Sequence, residues 1–216
     1  MVAPYRNADF RFAELGVRSD NPFPHLIFGE NTLLSSAAIR ELIETFPDIL
    51  APSRRLSGGD KTYATNTIRV HLNGTWQVPV GQLPPCWRDF LLYLADSSYR
   101  DELARSVGVS GAIDLELRLT EYPAGGWMSR HTDRPAKLFS HNIYLCPGWL
   151  PEWGGGLALY DSESTSEPSV VYPPGDGTSL AFARSDWSWH EVMPVSEHAL
   201  LPRRAVLVHG YRRPTS

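Results

Sequence analysis

Apolar positions follow two different periods along the chain. In the first half the spacing is helical. Ile39, Leu42, Ile43 and Phe46 recur at i, i+3, i+4, i+7 behind Ser35 and Ser36, either of which can cap a helix that Pro47 ends. A second helix is predicted from Pro85, with Trp87, Phe90, Leu91 and Leu94 on its apolar face, and one or two further turns toward Val107. Residues 21–34 read as an opening strand and turn. Residues 51–61 are polar and glycine-rich and predict a mobile loop. From residue 112 the period becomes two. Ile113, Leu115, Leu117 and Leu119 alternate with Asp114, Glu116, Arg118 and Thr120, the pattern of a half-buried strand. Further strands are expected at 137–146, 156–160, 168–172, 178–184, 190–195 and 203–211.

Helices first and strands after is an α+β order. The expected architecture is a double-sheeted β core, with N-terminal helices packed on one face. The 216 residues suit a single domain spanning 1–216, with 1–110 as helical support and substrate-pocket region and 111–213 as the β core. The 17 glycines and 18 prolines fall mostly between the short β-like runs, which fits a sandwich or barrel. Neither repeats nor low-complexity segments occur.

Charge narrows the partners. A net charge of −4 and a pI near 6.0 argue against nucleic acid as a bulk electrostatic partner. No secretory leader or apolar run long enough to span a membrane is read in the sequence. The two cysteines, Cys86 and Cys146, do not make a disulfide framework, so a reducing, cytoplasmic location is expected. Five of the seven tryptophans lie between 127 and 189. They are core and surface packing of an all-β region or, on a sharper reading, the walls of a pocket, with Trp149, Trp153, Trp187 and Trp189 at its entrance.

The strongest chemical signal is Arg130-His131-Thr132-Asp133. On an extended chain His131 and Asp133 point to one side, where a single metal ion reaches both. A lone H-x-D is common by chance, and the rest of the chain gives it weight. His190 lies 57 residues beyond Asp133, at the start of another predicted strand. Two histidines and one carboxylate on one face of an octahedron leave three positions open, the arrangement of non-haem iron(II) oxygenases. His25, His71, His141, His198 and His209 are read as surface or core residues. Thirteen residues after His190 come Arg203 and Arg204, neighbours on a strand and therefore on opposite faces. An arginine fork suits a carboxylate, and both faces of 203–211 are apolar, so periodicity does not choose between the two.

The stretches EYPAGGWMSRHTD, HNIYLCPGWLPEWGGGLALYD, SLAFARSDWSWHEVMPV and RRAVLVHGY, in this order, resemble the prolyl-4-hydroxylase-like branch of the iron(II)/2-oxoglutarate oxygenases. The resemblance runs from about 115 to 213. It implies a double-stranded β-helix, a jelly-roll variant with the metal inside one mouth. It implies His131, Asp133 and His190 as iron ligands. Arg203, with Ala205 as the small residue after it, would bind the far carboxylate of 2-oxoglutarate, helped by Tyr144, with Tyr122 lining the same pocket. A divalent iron, one carboxylate, a dianionic keto acid and one guanidinium then sum to neutrality, which a dry pocket favours.

The cofactors implied are Fe(II), 2-oxoglutarate and O2, with ascorbate as a further candidate. The reaction implied is hydroxylation of a C–H bond in a small molecule, amino acid or short peptide, or of a prolyl or other residue in a protein. The chain departs from the family at His209 and Gly210, where an aromatic residue is usual. Residues before 115 show no resemblance. A halogenase is disfavoured, because Asp133 fills the position that chloride needs. A cupin-type metal enzyme would carry more histidines, closer together. A non-catalytic barrel module would release no succinate.

Overall fold

The computed structural model describes residues 12–214. A short helix, α1 (Phe12–Leu15), precedes β1 (Val17–Ser19) and β2 (His25–Phe28). Helix α2 (Ser36–Glu44) starts where the Ser35 side chain accepts from the Ala38 backbone N–H at 3.2 Å, and it ends ahead of Pro47. The next elements are β3 (Ala51–Arg55), β4 (Tyr63–Leu72), β5 (Thr75–Trp76), α3 (Pro85–Leu94) and α4 (Ser97–Ser106). The turns expected after Leu94 form a separate helix, because Asp96 accepts from the Ser98 N–H at 2.7 Å and begins α4. Eight more strands follow: β6 (Ile113–Tyr122), β7 (Trp127–His131), β8 (Lys137–Leu145), β9 (Leu157–Tyr160), β10 (Val170–Tyr172), β11 (Asp176–Ala183), β12 (Trp189–Val192) and β13 (Arg203–Arg212).

The strands join one curled, antiparallel sheet in the order β1-β2-β11-β8-β13-β6-β4-β7-β12-β9-β10, with β3 and β5 attached to β4. β4 is the fold line. It pairs with β6 of the large wall and with β7 of the small one, so the sheet closes into the half-barrel of a jelly roll. The alternation read in β6 orients that wall. Ile113, Leu115, Leu117 and Leu119 meet the helices, in a cluster with Leu42, Trp87, Leu91, Leu94 and Leu103. Leu42, Leu91, Leu94, Leu103, Leu117 and Leu119 are fully enclosed, each contributing about 1.5–3 kcal/mol relative to exposure. The Trp87 indole N–H donates to Leu42 O at 3.0 Å, so its burial leaves no polar atom stranded. The other face of β6, carrying Glu116, Arg118, Thr120 and Tyr122, looks into the barrel.

Two expectations for the N-terminal half need correction. Residues 1–110 are not helical support alone: β1–β5 lie there, and β4 completes the barrel, so 111–213 does not close it alone. The loop expected over 51–61 begins as a strand, since Ala51–Arg55 pairs with β4 along its whole length. β3 pairs with β4 alone and is an edge strand, the kind of strand in which a proline such as Pro52 is tolerated. A side chain at Gly210 would place its Cβ 2.3 Å from Phe139 Cε1, because the Phe139 ring of β8 fills that space. Among the described residues no helix is long and apolar enough to cross a membrane.

Candidate active site

The register of the small wall brings the distant histidines together. His190 of β12 sits directly opposite His131, the last residue of β7, and their ring centroids are 4.3 Å apart. Asp133 follows two residues beyond the strand end. His131, Asp133 and His190 are all buried, and each offers a ligand atom within 4.8 Å of the others. His131 Nε2 and Asp133 Oδ1 are 3.9 Å apart.

Backbone carbonyls fix the imidazole tautomers. His131 Nδ1 lies 2.8 Å from Ser129 O and His190 Nδ1 2.9 Å from Ser188 O. A carbonyl accepts only, so Nδ1 carries the proton in each ring and Nε2 keeps its lone pair. Burial lowers both imidazoles, His131 to about 2, with the Lys61 charge and the repulsion that two protonated rings would feel adding to the effect, and both stay neutral. Burial would raise Asp133, but the neighbouring Lys137, His190, Lys61 and His131 outweigh it and hold the carboxyl well below its usual range. Lys137 Nζ and Ser140 Oγ each donate to it at 2.8 Å. Two neutral imidazoles and an ionised carboxylate are the donor states a divalent cation requires. Lys61 Nζ donates to His131 Nε2 at 2.8 Å, using the lone pair a metal would take.

Residues 117–210 match the family described as the 2OG-Fe(II) oxygenase superfamily. In this stretch the chain is similar to 2OG-Fe(II) oxygenases. Solved structures share its fold. A prolyl-4-hydroxylase from Pseudomonas putida aligns over 84% of this chain and 89% of its own, with 21% identity and a TM-score of 0.60. A prolyl hydroxylase from Trichoplax adhaerens, in complex with a peptide fragment of the hypoxia inducible factor oxygen degradation domain, aligns over 87% and 83%, with 20% identity and a TM-score of 0.61. EvdO2 from Micromonospora carbonacea var. aurantiaca, complexed with 2-oxoglutarate, aligns over 96% and 92%, with 12% identity and a TM-score of 0.57. No curated protein matches the chain.

Deeper in the barrel, the two arginines of β13 part as their alternation requires. Arg203 is 2% exposed and turns into the barrel, its guanidinium 5.0 Å from the ring centres of Tyr122 and Tyr144. Its Nε donates to Gly155 O at 2.6 Å. Gly155 has φ +68°, and a Cβ there would stand 3.2 Å from Arg203 Cδ, so glycine permits this close approach. Among the described residues no carboxylate forms an ion pair with Arg203. The buried Tyr144 hydroxyl, with Arg203 and Asn142 beside it, makes no hydrogen bond of good geometry. A buried cation without a counter-ion, next to a buried hydroxyl without a partner, fits an incoming carboxylate. Arg204 faces the helices, over the Phe46 ring at 4.4 Å and paired with Glu121 Oε2 at 3.0 Å.

Of the remaining histidines, His209 lines the cavity beside Asp133, its Nδ1 3.2 Å from Glu116 Oε2, and the other four lie outside that cavity. His25 bonds Phe23 O and the Tyr172 hydroxyl at 2.7 Å each, and His141 sits between the Tyr99 and Ser179 hydroxyls. His71 is buried against Trp76, whereas the His198 side chain is exposed. The tryptophans do not form one wall. Trp149 packs edge-on to Trp153 and reaches Gly155 near Arg203, while Trp187 is 62% exposed, away from the barrel mouth.

Sequence reading missed the basic residues of that mouth. A cavity of about 250 Å3 opens beside Asp133, Tyr122 and Met128, and Lys61, Lys137, Arg69 and Arg118 line it. Arg118 was legible as an inward position of β6. Arg69 follows from the same alternation in β4, Thr65-Thr67-Arg69, once that strand is recognised. Lys61 lies outside any periodic element and carries no local signal. Burial pushes Lys61 down to about 8.

Proposed function

We propose that the protein is an iron(II)- and 2-oxoglutarate-dependent dioxygenase that hydroxylates a C–H bond of a small molecule, amino acid or short peptide. The observation that carries this reading is the buried convergence of His131, Asp133 and His190, with both Nε2 lone pairs directed inward. Iron(II) with 2-oxoglutarate and dioxygen supplies the chemistry: one oxygen atom enters the substrate C–H bond, the other enters succinate, and the keto acid's carboxyl carbon leaves as carbon dioxide.

The chain's own residues do the rest. His131 and His190 present Nε2, each imidazole held by a carbonyl behind it. Asp133 supplies the anionic ligand, with Ser140 steadying its second oxygen. Arg203 binds the far carboxylate of 2-oxoglutarate and Tyr144 donates to it, while Tyr122 closes the pocket between this end and the metal. Met128 and Leu207 line the mouth and keep water from the reacting bond. With metal, Asp133, keto acid and Arg203 in place, the buried set is neutral.

A residue in a protein is the second reading of the substrate. Two of the similar structures are prolyl hydroxylases and one of these holds a peptide fragment. The free, buried thiols of Cys86 and Cys146 support a reducing compartment, the cytoplasm. Succinate release from 2-oxoglutarate tests the activity. It is expected to need iron(II) and to rise on addition of a substrate. No iron-dependent succinate above a protein-free control, across a broad set of small molecules and peptides, would overturn the reading.

A further inference from the structure

The mouth of the site holds twice as many cations as anions. Arg55, Lys61, Arg69, Arg118, Arg134 and Lys137 line it, against Asp60, Glu116 and Asp133. Each carboxylate is shared by two of the cations. Asp60 takes Arg55 on Oδ1 at 3.3 Å and Arg134 on Oδ2 at 3.2 Å. Asp133 takes Lys137 directly, with the Lys61 charge beside it. Glu116 Oε1 accepts Nε of Arg69 at 2.5 Å and of Arg118 at 3.0 Å, while the Tyr211 hydroxyl and His209 Nδ1 each lie 3.2 Å from Oε2. Glu116 is therefore saturated. It fixes two guanidiniums by their Nε atoms, and among the described residues no other carboxylate pairs with either.

The excess grows in the working enzyme. Iron, Asp133, 2-oxoglutarate and Arg203 form a neutral set by themselves. The six cations then face only Asp60 and Glu116, an excess of four positive charges around about 250 Å3. Lys61 must also leave His131 Nε2 when a metal takes that lone pair, which turns its ammonium toward the mouth. Like charges gathered in a confined, partly dry cavity repel strongly unless a ligand of opposite sign enters.

We propose that the substrate is a small oxyanion carrying at least two negative charges, as carboxylate or phosphate groups, held by Lys61, Lys137, Arg69 and Arg118. Its place as substrate rests on the oxygenase reading; its charge rests on the lining alone. The cavity is at the small end of ligand sites, so the molecule is compact. Arg69 and Arg118 grip the end away from the metal, and the lysines hold the end beside it. The C–H bond to be oxidised lies between the two. Arg55 and Arg134, tied through Asp60, give the mouth a positive rim that draws anions inward.

The test is anaerobic calorimetry on the iron(II)-loaded protein, first titrated to saturation with 2-oxoglutarate and then with four ring compounds of similar size. Phenyl phosphate and phthalate are the dianions, benzyl alcohol the neutral control and benzylamine the cation. Both dianions are expected to bind at least about tenfold more tightly than the two controls, and their ranking tells phosphate from carboxylate. Arg69→Glu is expected to cost the dianions at least about tenfold. Arg118→Gln serves as the second variant, with circular dichroism confirming the fold of each. Dianions binding no better than benzyl alcohol, or undiminished in both folded variants, would overturn the inference. The first titration separates the two claims. Dianion binding without iron-dependent 2-oxoglutarate binding would sink the oxygenase reading and leave the anionic pocket standing. The reverse result would do the opposite.

Discussion

His131→Ala and His190→Ala are each expected to abolish turnover and to weaken iron(II) binding by more than about 100-fold, beyond the 10–100-fold typical of losing a mere supporting contact. Each imidazole is buried, neutral, locked in the Nε2-free tautomer and directed at the same point. Removing one leaves two protein ligands for a divalent ion. Neither histidine neutralises a buried charge, so both apo variants are expected to fold. Asp133→Gly behaves differently. It removes hydroxylation more completely than 2-oxoglutarate binding, because the keto acid can still chelate the remaining metal. It also strands Lys137, which is 7% exposed and pairs with this carboxylate, so this variant loses stability as well. Anaerobic metal titration and succinate release measure these effects. Wild-type iron affinity and turnover in either histidine variant would show that the metal lies elsewhere.

Arg203→Gln is expected to raise the 2-oxoglutarate requirement by tens- to thousands-fold. Losing a buried, charge-assisted bidentate contact costs about 2–5 kcal/mol, at about 1.4 kcal/mol per tenfold. Arg204→Gln is the internal control, since its partners are Glu121 and the face of Phe46 on the helical side. The apparent 2-oxoglutarate constant in the two variants decides the matter. A larger defect in Arg204→Gln would mean that the inward face of β13 is the other one. Tyr144→Phe should shift the same constant by a smaller factor, as one neutral donor is lost.

The sequence carried the site further than it carried the fold around it. H-x-D holds two of the three proposed ligands within three residues, because a strand's period of two puts both side chains on one side. His190 is remote in the chain, and only the pairing of β12 with β7 places it opposite His131. Arg203 and Arg204 stood undecided by periodicity, since Ala205 and Leu207 on one face are as apolar as Val206 and Val208 on the other; the family register was needed to prefer Arg203. β4 escaped notice because its inward face is Thr65, Thr67 and Arg69, polar residues that line a cavity and so weaken the apolar alternation that marks a strand. Its β-branched composition was the remaining signal. β3 escaped because Pro52 and two arginines are edge-strand residues, easily read as loop. The mouth stayed invisible for a related reason: its cations come from four strands and two loops, and charge balance across a cavity is a property of the folded surface.

The claim that His131, Asp133 and His190 hold iron for 2-oxoglutarate chemistry is tested most directly by anaerobic equilibrium dialysis of the wild-type chain with labelled 2-oxoglutarate, with and without iron(II). The account predicts a single iron per chain and 2-oxoglutarate retained tightly only when that iron is present, since one end of the keto acid is held by the metal and the other by Arg203. Retention of 2-oxoglutarate to the same extent without metal, or no stoichiometric iron, would contradict it.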